Sequence, residues 1–250
     1  MTGREWPPAM SARFYSATPI LTERATLDGA EAHHVSHVMR ATVGESVTLF
    51  DGGGTEFEAV IESLGRSSVD LRIVERREVD RELPFALMVG VALPKGDRQK
   101  WLVEKLTELG VTTLVPLVTE RGVAQPTAGA IARLDRSVIE ASKQCGRNRL
   151  MRIAAPLVWE EWISRSEVPA DSRRLIAHPG GSPLATLDFA LPQPTQLAIG
   201  PEGGFTEAEA AAAQAAGWRT VSLGPRTLRV ETAAVALVAH CAGADGSKRV

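Results

Sequence analysis

Hydrophobic and polar positions along this chain follow two rhythms, and the change between them falls near residue 80. Up to that point the pattern is short and alternating. Arg13 to Ser16, Ser46 to Phe50, Thr55 to Ser63 and Ser68 to Glu75 carry β-branched residues at a rough period of two, the mark of half-buried strands. Asp51-Gly52-Gly53-Gly54 predicts a hairpin turn between two of them. One helix is predicted from about Gly29 to Met39, after the cap candidate Asp28. Short strands with a single helix suggest a small barrel. The charged stretch Glu75 to Pro84 then marks the best domain boundary. Beyond it, Phe85 to Leu93 is a continuous apolar run, as in strands buried on both faces. A helix follows from about Asp97 to Leu109, with Gly110 as its stop, then the strand TTLVPLV and a second helix from Ala130 to Gln144. RRLIAHP, QLAIG and TVSLG supply three more strands, each leading through a loop into helical sequence. Alternation of this kind predicts an α/β domain with a largely parallel sheet.

Within the second pattern one kind of junction occurs twice. Gln196 to Glu209, QLAIGPEGGFTEAE, and Ser222 to Thr232, SLGPRTLRVET, each run from an apolar stretch into a glycine-containing turn and then a helix. Such turns put bare backbone amides at the carboxyl end of a buried strand, where open α/β sheets hold ligands. Gly200, Gly203 and Gly204 bracket one carboxylate, Glu202, and leave room for close approach of a flat ligand. Thr206 and Glu209 have the spacing of a capping box, opening an alanine-rich helix that ends at Gly217. A tight βα turn explains one copy; two copies favour a binding site. Neither turn has the order of a nucleotide-phosphate loop or the spacing of a dinucleotide fingerprint, and neither carries a lysine. An adenosine-type cofactor held by backbone groups fits better than ATP or NAD.

Composition narrows the class. The chain has 250 residues, enough for one large domain or two modest ones, and its charged fraction of 23% is ordinary for a globular protein. No apolar run reaches the roughly 20 residues of a membrane span, and the first residues lack an apolar signal core, so no membrane partner is expected. Cys145 and Cys241 lie far apart, which disfavours a disulfide framework or zinc site and makes a reducing cytoplasm the expected compartment. No metal is expected: His33 and His37 have i, i+4 spacing, but no carboxylate pair or cysteine lies beside them. The net charge of −2 hides an uneven distribution. Residues 1–80 hold 8 basic and 13 acidic side chains, residues 81–155 hold 12 and 7, and residues 156–250 hold 8 and 10. The basic middle reads either as solvated helix faces or as a phosphate-binding surface.

At this point the motifs together resemble a known family. IGPEGGFTEAE followed by LGPRTLRVETA resembles the cofactor-binding signature of the 16S ribosomal RNA (uracil-N3)-methyltransferases of the SPOUT superfamily. HHVSHVMR at 33–40, LPKGDRQKWLVEKLTELGV at 93–111, TERGV at 119–123 and EASKQCGRNRL at 140–150 agree in order, so the likeness covers nearly the whole chain. The resemblance implies an α/β fold: a SPOUT-type trefoil-knotted parallel-sheet domain at 81–250, preceded at 1–80 by a PUA-like β-barrel that binds RNA. Knots are rare exceptions to ordinary connectivity. It also implies S-adenosylmethionine as cofactor, a homodimer, and methylation of N3 of one uridine in the small-subunit decoding region, on the 16S rRNA or the assembled 30S subunit. Carried over residue by residue, the cofactor pocket draws on Ala177 and His178, then Ile199, Gly200, Pro201, Glu202, Gly203 and Gly204, then Leu223, Gly224, Thr227, Leu228 and Arg229.

Methyl transfer from a sulfonium is an in-line displacement, so positioning supplies most of the catalysis. The uracil N3 carries a proton at neutral pH, and a site must accept that proton or stabilise the anionic ring left behind. Arg226 and Arg229 are candidates for stabilising the ring. Glu202 and Glu231 are candidates for accepting the proton, although Glu231 also suits the amino end of a helix from Thr232 to Cys241 and Glu202 also suits loop amides. His178 reads more readily as a loop-shaping hydrogen-bond partner than as an acid or base, and Trp101, Trp159, Trp162 and Trp218 read as packing residues. RNA contacts are expected from Arg13, Arg40, Lys95, Arg121, Arg147 and Arg149, the last two reaching phosphates just after a helix. Ala233, Ala236, Leu237 and His240 on the last helix offer a dimer face. A SPOUT methyltransferase acting on another RNA position is the nearest alternative. An RNA-binding or assembly factor that makes little use of the cofactor is the alternative from a different class, and the intact glycine turns argue against it.

Overall fold

The change of rhythm near residue 80 is also where the chain passes from one structural unit to another. The computed structural model describes residues 12–123, 127–165, 169–187 and 192–243. Described residues up to Glu82 cluster with Ser142–Leu150 as a first unit, and those of Leu83–Ala141 and from Met151 onward form a second.

The first unit holds β1 (Arg13–Tyr15), β2 (Arg24–Asp28), α1 (Gly29–His33), β3 (Ser46–Phe50), β4 (Thr55–Leu64) and β5 (Ser68–Glu78). They make a five-stranded sheet in the order β1-β3-β4-β5-β2, parallel only between β1 and β3. The predicted hairpin joins β3 to β4. Asp51 stabilises its turn, accepting from Gly53 N at 3.0 Å through Oδ1 and from Ile20 N at 3.0 Å through Oδ2. Phe14, Leu27, Val35, Leu49, Phe57 and Leu71 form the core of this unit. The pattern did not reveal β2, an edge strand in which only Leu27 is fully buried. The predicted helix is α-helical for little more than one turn. It continues as a π-helical turn at His34–Val38, and Asp28 sits at its start without making a side-chain cap.

Residues 142–150 were expected in the second domain and instead cluster with the first, to which ion pairs, hydrogen bonds and a backbone bridge at Gly53 tie them. Lys143 Nζ donates to Glu31 Oε1 at 2.9 Å, and Arg147 Nε donates to Glu82 Oε1 at 3.0 Å. Asn148 Oδ1 accepts from Arg13 Nη2 at 2.6 Å, and Gly146 O accepts from Arg81 Nη1 at 2.8 Å. Basic side chains from the middle of the sequence thus answer the acid excess of its first 80 residues. Two of the expected RNA contacts are corrected here. Arg13 and Arg147 are 9% and 3% exposed, their guanidinium groups committed to Glu56 and Glu82. A buried, paired guanidinium is not available to a phosphate, because leaving its carboxylate unpaired costs several kcal/mol.

Glu56 sits between Arg13 Nη1 at 2.6 Å and Arg81 Nη1 at 3.0 Å. Burial by itself raises its carboxyl pKa, but the hydrogen bonds and charge of the two arginines outweigh burial and hold it below the ordinary 4.5. A folded pKa below the unfolded one gives stability that is present above the unfolded value and lost as pH falls through the folded one. Glu56→Gln is expected to destabilise the protein by about 3 kcal/mol at neutral pH, the low end for breaking a buried pair. Its difference from wild type should shrink below about pH 4. Urea melts of both proteins across that range check this.

The second unit contains β6 (Leu87–Val91), α2 (Arg98–Glu108), β7 (Thr113–Val118), α3 (Ala128–Cys145), β8 (Arg152–Ile153), β9 (Leu157–Val158), α4 (Trp159–Ile163), β10 (Arg173–Pro183), β11 (Thr195–Ile199), α5 (Glu207–Ala215), β12 (Arg219–Ser222) and α6 (Val230–Gly243). Only the last residues of α3 fall in the first unit. Every ladder of its sheet is parallel, in the order β12-β10-β11-β6-β7-β8, with β9 also on β7. Pro116 lies inside β7, where a missing N–H interrupts pairing. The outer ladder accordingly splits, β8 pairing with Thr113 and Leu114 and β9 with Leu117 and Val118. Trp159, Trp162 and Trp218 are buried in the core with Phe205, whereas Trp101 is 42% exposed and does not pack as expected. Burial pushes the Cys241 thiol up to about 12, which leaves it unreactive. Among the described residues no helix is long and apolar enough to cross a membrane.

Candidate active site

The strand order reverses beside β6. The chain moves outward from β6 to β7, and β11 returns to pair with the other edge of β6. The carboxyl ends of β6 and β11 therefore flank a topological switch point, where open α/β sheets bind ligands. The turn after β11 is Gly200 to Gly204, and the turn after β12 begins at Leu223.

Packing fixes the first turn. Gly204 N donates to Pro201 O at 2.8 Å, and Gly204 takes a φ of +68°, a conformation that favours glycine. Phe205 is buried against Trp159 with ring centroids 4.3 Å apart, anchoring the loop in the core. The capping box is present: Glu209 N donates to Thr206 Oγ1 and Thr206 N donates to Glu209 Oε2. Glu209 does more than cap, since its Oε1 accepts from Glu120 N at 2.9 Å beyond β7. Arg121 Nη1 donates to Gly203 O at 2.8 Å, so this expected RNA contact lies against the glycine turn.

Arg98, one of the basic residues of the middle of the chain, stands between two of the candidate carboxylates. Its Nη2 donates to Glu202 Oε1 at 3.1 Å, and its Nη1 lies 3.6 Å from Glu231 Oε2. Glu202 is 50% exposed at its side chain, and a pair so open contributes at most about 1 kcal/mol. Glu231 is 6% exposed, and its Oε2 has no hydrogen-bond partner among the described residues. The weightier partner of Arg98 is therefore Glu231. A sequence signal existed. Arg98 is the first residue of α2, where the helix dipole disfavours a cation, and a cation there calls for dedicated counter-charge.

The second turn is more open. Gly224 takes a φ of +109°, Leu223 and Leu228 are half-buried, and Arg226, Thr227 and Arg229 are exposed. Arg229 directly precedes α6, and its carbonyl accepts from Ala233 N at 2.8 Å. The third segment leaves the sheet and comes back: β10 pairs with Val221 of β12 at Ala177 and again at Ser182, with His178 to Gly181 looped out between. His178 Nδ1 accepts from Gly180 N at 3.2 Å, the loop-shaping role its sequence setting suggested. Ile199, Gly200 and Pro201 are buried at the end of β11.

The remaining basic candidates separate by unit. In the first unit Arg40 is exposed, with a φ of +55°, and Arg149 is exposed, its backbone bridging Gly53 and its guanidinium lying over Gly54. In the second unit Lys95 is exposed beyond β6. On α6, Ala236 and His240 are exposed and Ala233 half-buried, but Leu237 is fully buried in its own unit and is withdrawn from the proposed dimer face.

Two family models match the chain: the RNA methyltransferase domain over residues 81–242 and the RNA methyltransferase PUA domain over residues 27–74. Ribosomal RNA small subunit methyltransferase E of Synechocystis is 34% identical over 224 residues, covering 88% of this chain and 73% of that protein. Its counterpart from Bacillus subtilis is 29% identical, covering 83% and 85%. A crystal structure of the ribosomal RNA small subunit methyltransferase E of Neisseria gonorrhoeae, bound to S-adenosyl methionine, superposes with a TM-score of 0.82 at 31% identity, covering 93% of this chain and 96% of that one. The domain match over most of the chain and these relatives agree, and the chain belongs to the ribosomal RNA small subunit methyltransferase E family.

Proposed function

We propose that this chain is a cytoplasmic, homodimeric enzyme that methylates N3 of a specific uridine of 16S rRNA, in the small-subunit decoding region, as rRNA or as the 30S subunit. The observation that carries the reading is the pair of glycine turns at the carboxyl ends of β11 and β12, with the first at the switch point and two exposed arginines on the second. The residues present suit S-adenosylmethionine. Backbone groups of Ile199 to Gly204, Leu223, Gly224, Thr227 and Leu228, with Ala177 and His178, would hold a flat, uncharged adenosine without any polyphosphate site. Bound there, the cofactor supplies a methyl group already activated by a sulfonium. In this reading the turns and the looped segment belong to a trefoil knot, and Ala236 and His240 of α6 to the dimer face.

The chain's own residues have the harder task, the acceptor. Arg229 and Arg226 would place positive charge beside the uracil carbonyl oxygens as N3 loses its proton. Glu231 is the better candidate for taking that proton, because it is buried and its Oε2 accepts no hydrogen bond among the described residues, whereas Glu202 is half-exposed. Arg121 and Arg98 would hold the first turn and its carboxylate in place while the RNA docks.

Mass mapping of 16S rRNA with and without the protein tests the reaction, and a single new methyl on uracil N3 is the expected result. A methyl on ribose or on another base would replace the uracil assignment. Calorimetric titration tests the pocket. Gly224→Val should remove S-adenosylmethionine binding while the protein stays folded, because a β-branched residue at a φ of +109° is strained by about 1–3 kcal/mol and the turn must move. Unchanged affinity would take this turn out of the site.

A further inference from the structure

Methyl transfer leaves one hollow of the first unit without a role. It has a volume of about 210 Å³, room for several water molecules at about 30 Å³ each. One wall is His33, Ser36 and His37, from α1 and the π-helical turn; the other is the β4–β5 connection, Arg66, Ser67 and Ser68. The π-helical turn follows directly on His33. The His33 and His37 rings stack 4.6 Å apart and 10° from parallel. Single π-turns of this kind are frequent at functional sites.

The polar side chains of the walls carry donors and no negative charge. Each imidazole offers at least one N–H, the guanidinium offers five, and the three serines add hydroxyl donors. No carboxylate lines the hollow, although the surrounding sequence is rich in acids. The neighbouring acids are placed elsewhere. Glu31 accepts from Tyr15 N and Lys143, and Asp70 from the hydroxyls of Thr26 and Ser63. Glu62 pairs with Arg72. Asp28 pairs across the ladder with Ser68 and does not line the hollow. An acid-free cluster of donors in an acid-rich unit suits a compact anion. Its size and open mouth suit an anion that is part of a larger chain.

We propose that this hollow is a subsite for one backbone phosphodiester of the RNA substrate, in the first unit and separate from the glycine turns. The proposal rests on reading the chain as an RNA methyltransferase and deepens it by assigning a phosphate contact that is not among the arginines expected from the sequence.

The test uses the full chain and a transcribed 16S rRNA fragment, titrated without cofactor over a range of salt. His37→Ala combined with Arg66→Ala should weaken binding on the order of 5-fold and lower the slope of log affinity against log salt by about 0.7–0.9, one released counterion. Arg66→Glu should weaken it further, and Arg66→Lys should keep most of the salt slope because the charge remains. All these side chains lie at the surface of the unit, and unchanged circular dichroism and urea melts in each variant would show that the fold is intact. Equal RNA affinity and equal slope in the double variant and in Arg66→Glu would overturn the proposal. So would inorganic phosphate binding that depends on these residues while RNA binding does not. The binding arm needs no methyl transfer, so a failure of the proposed reaction and a failure of this subsite are told apart.

Discussion

Gly181→Ala, a change of one methyl group, is expected to lower stability by on the order of 3 kcal/mol, the upper end for inserting a carbon into a packed site. A Cβ built there lies 2.4 Å from Val221 N and 2.6 Å from both Thr220 C and Val221 C. Those are backbone atoms of β12, and no rotamer change can clear them. The looped segment His178 to Gly181 must lift away, and the second pairing of β10 with β12, at Ser182 and Pro183, goes with it. S-adenosylmethionine affinity is expected to fall in parallel, because Ala177 and the turn after β12 are both assigned to the cofactor. Gly180→Ala is the control. A Cβ there meets only the His178 ring, no closer than 3.5 Å, and stability should hardly change. Urea melts and calorimetric titration of the two variants decide it. A Gly181→Ala protein as stable as Gly180→Ala would mean that this close approach of the two strands is not maintained in solution.

Much of the second unit was legible because its signals are local. β6 and β11 are apolar runs buried on both faces, and the T-x-x-E spacing at Thr206 and Glu209 gives the capping box directly. What escaped was decided at long range. The edge strand β2 buries too little for a period to show. The π-helical turn at His34–Val38 follows an ordinary helical pattern and differs from an α-helix only in its hydrogen bonds. Arg13 and Arg147 looked like surface cations, and only the fold reveals Glu56 and Glu82 beside them. The same holds for Ser142–Leu150, which joins the first unit through ion pairs, hydrogen bonds and a backbone bridge to residues far away in sequence. Arg98 also escaped: a cation at the first position of a helix is a local anomaly, but only the fold shows that Glu202 and Glu231 answer it.

Arg229→Ala is expected to slow single-turnover methyl transfer with bound RNA by on the order of 10²-fold, the cost of losing one oxyanion-hole donor. Arg229 is exposed, immediately before α6, on the turn that follows β12. Among the described residues its carbonyl is bonded to Ala233 N, and that bond does not involve the side chain, which can be removed without breaking the first turn of the helix. An arginine aimed at a uracil oxygen acts where charge develops, and its loss should lower the rate constant more than RNA affinity. S-adenosylmethionine affinity should change little, since the backbone of the turn stays in place. Raising the pH should partly restore the rate, because more of the uracil is then already ionised and less stabilisation is asked of the protein. Arg149→Ala provides the contrast. It should weaken RNA binding and reduce its salt dependence, with no pH-dependent recovery, as expected for a phosphate contact in the first unit. Rapid-quench measurements with saturating RNA separate the two cases. A normal rate for Arg229→Ala under those conditions would move this residue from the reacting base to the RNA backbone.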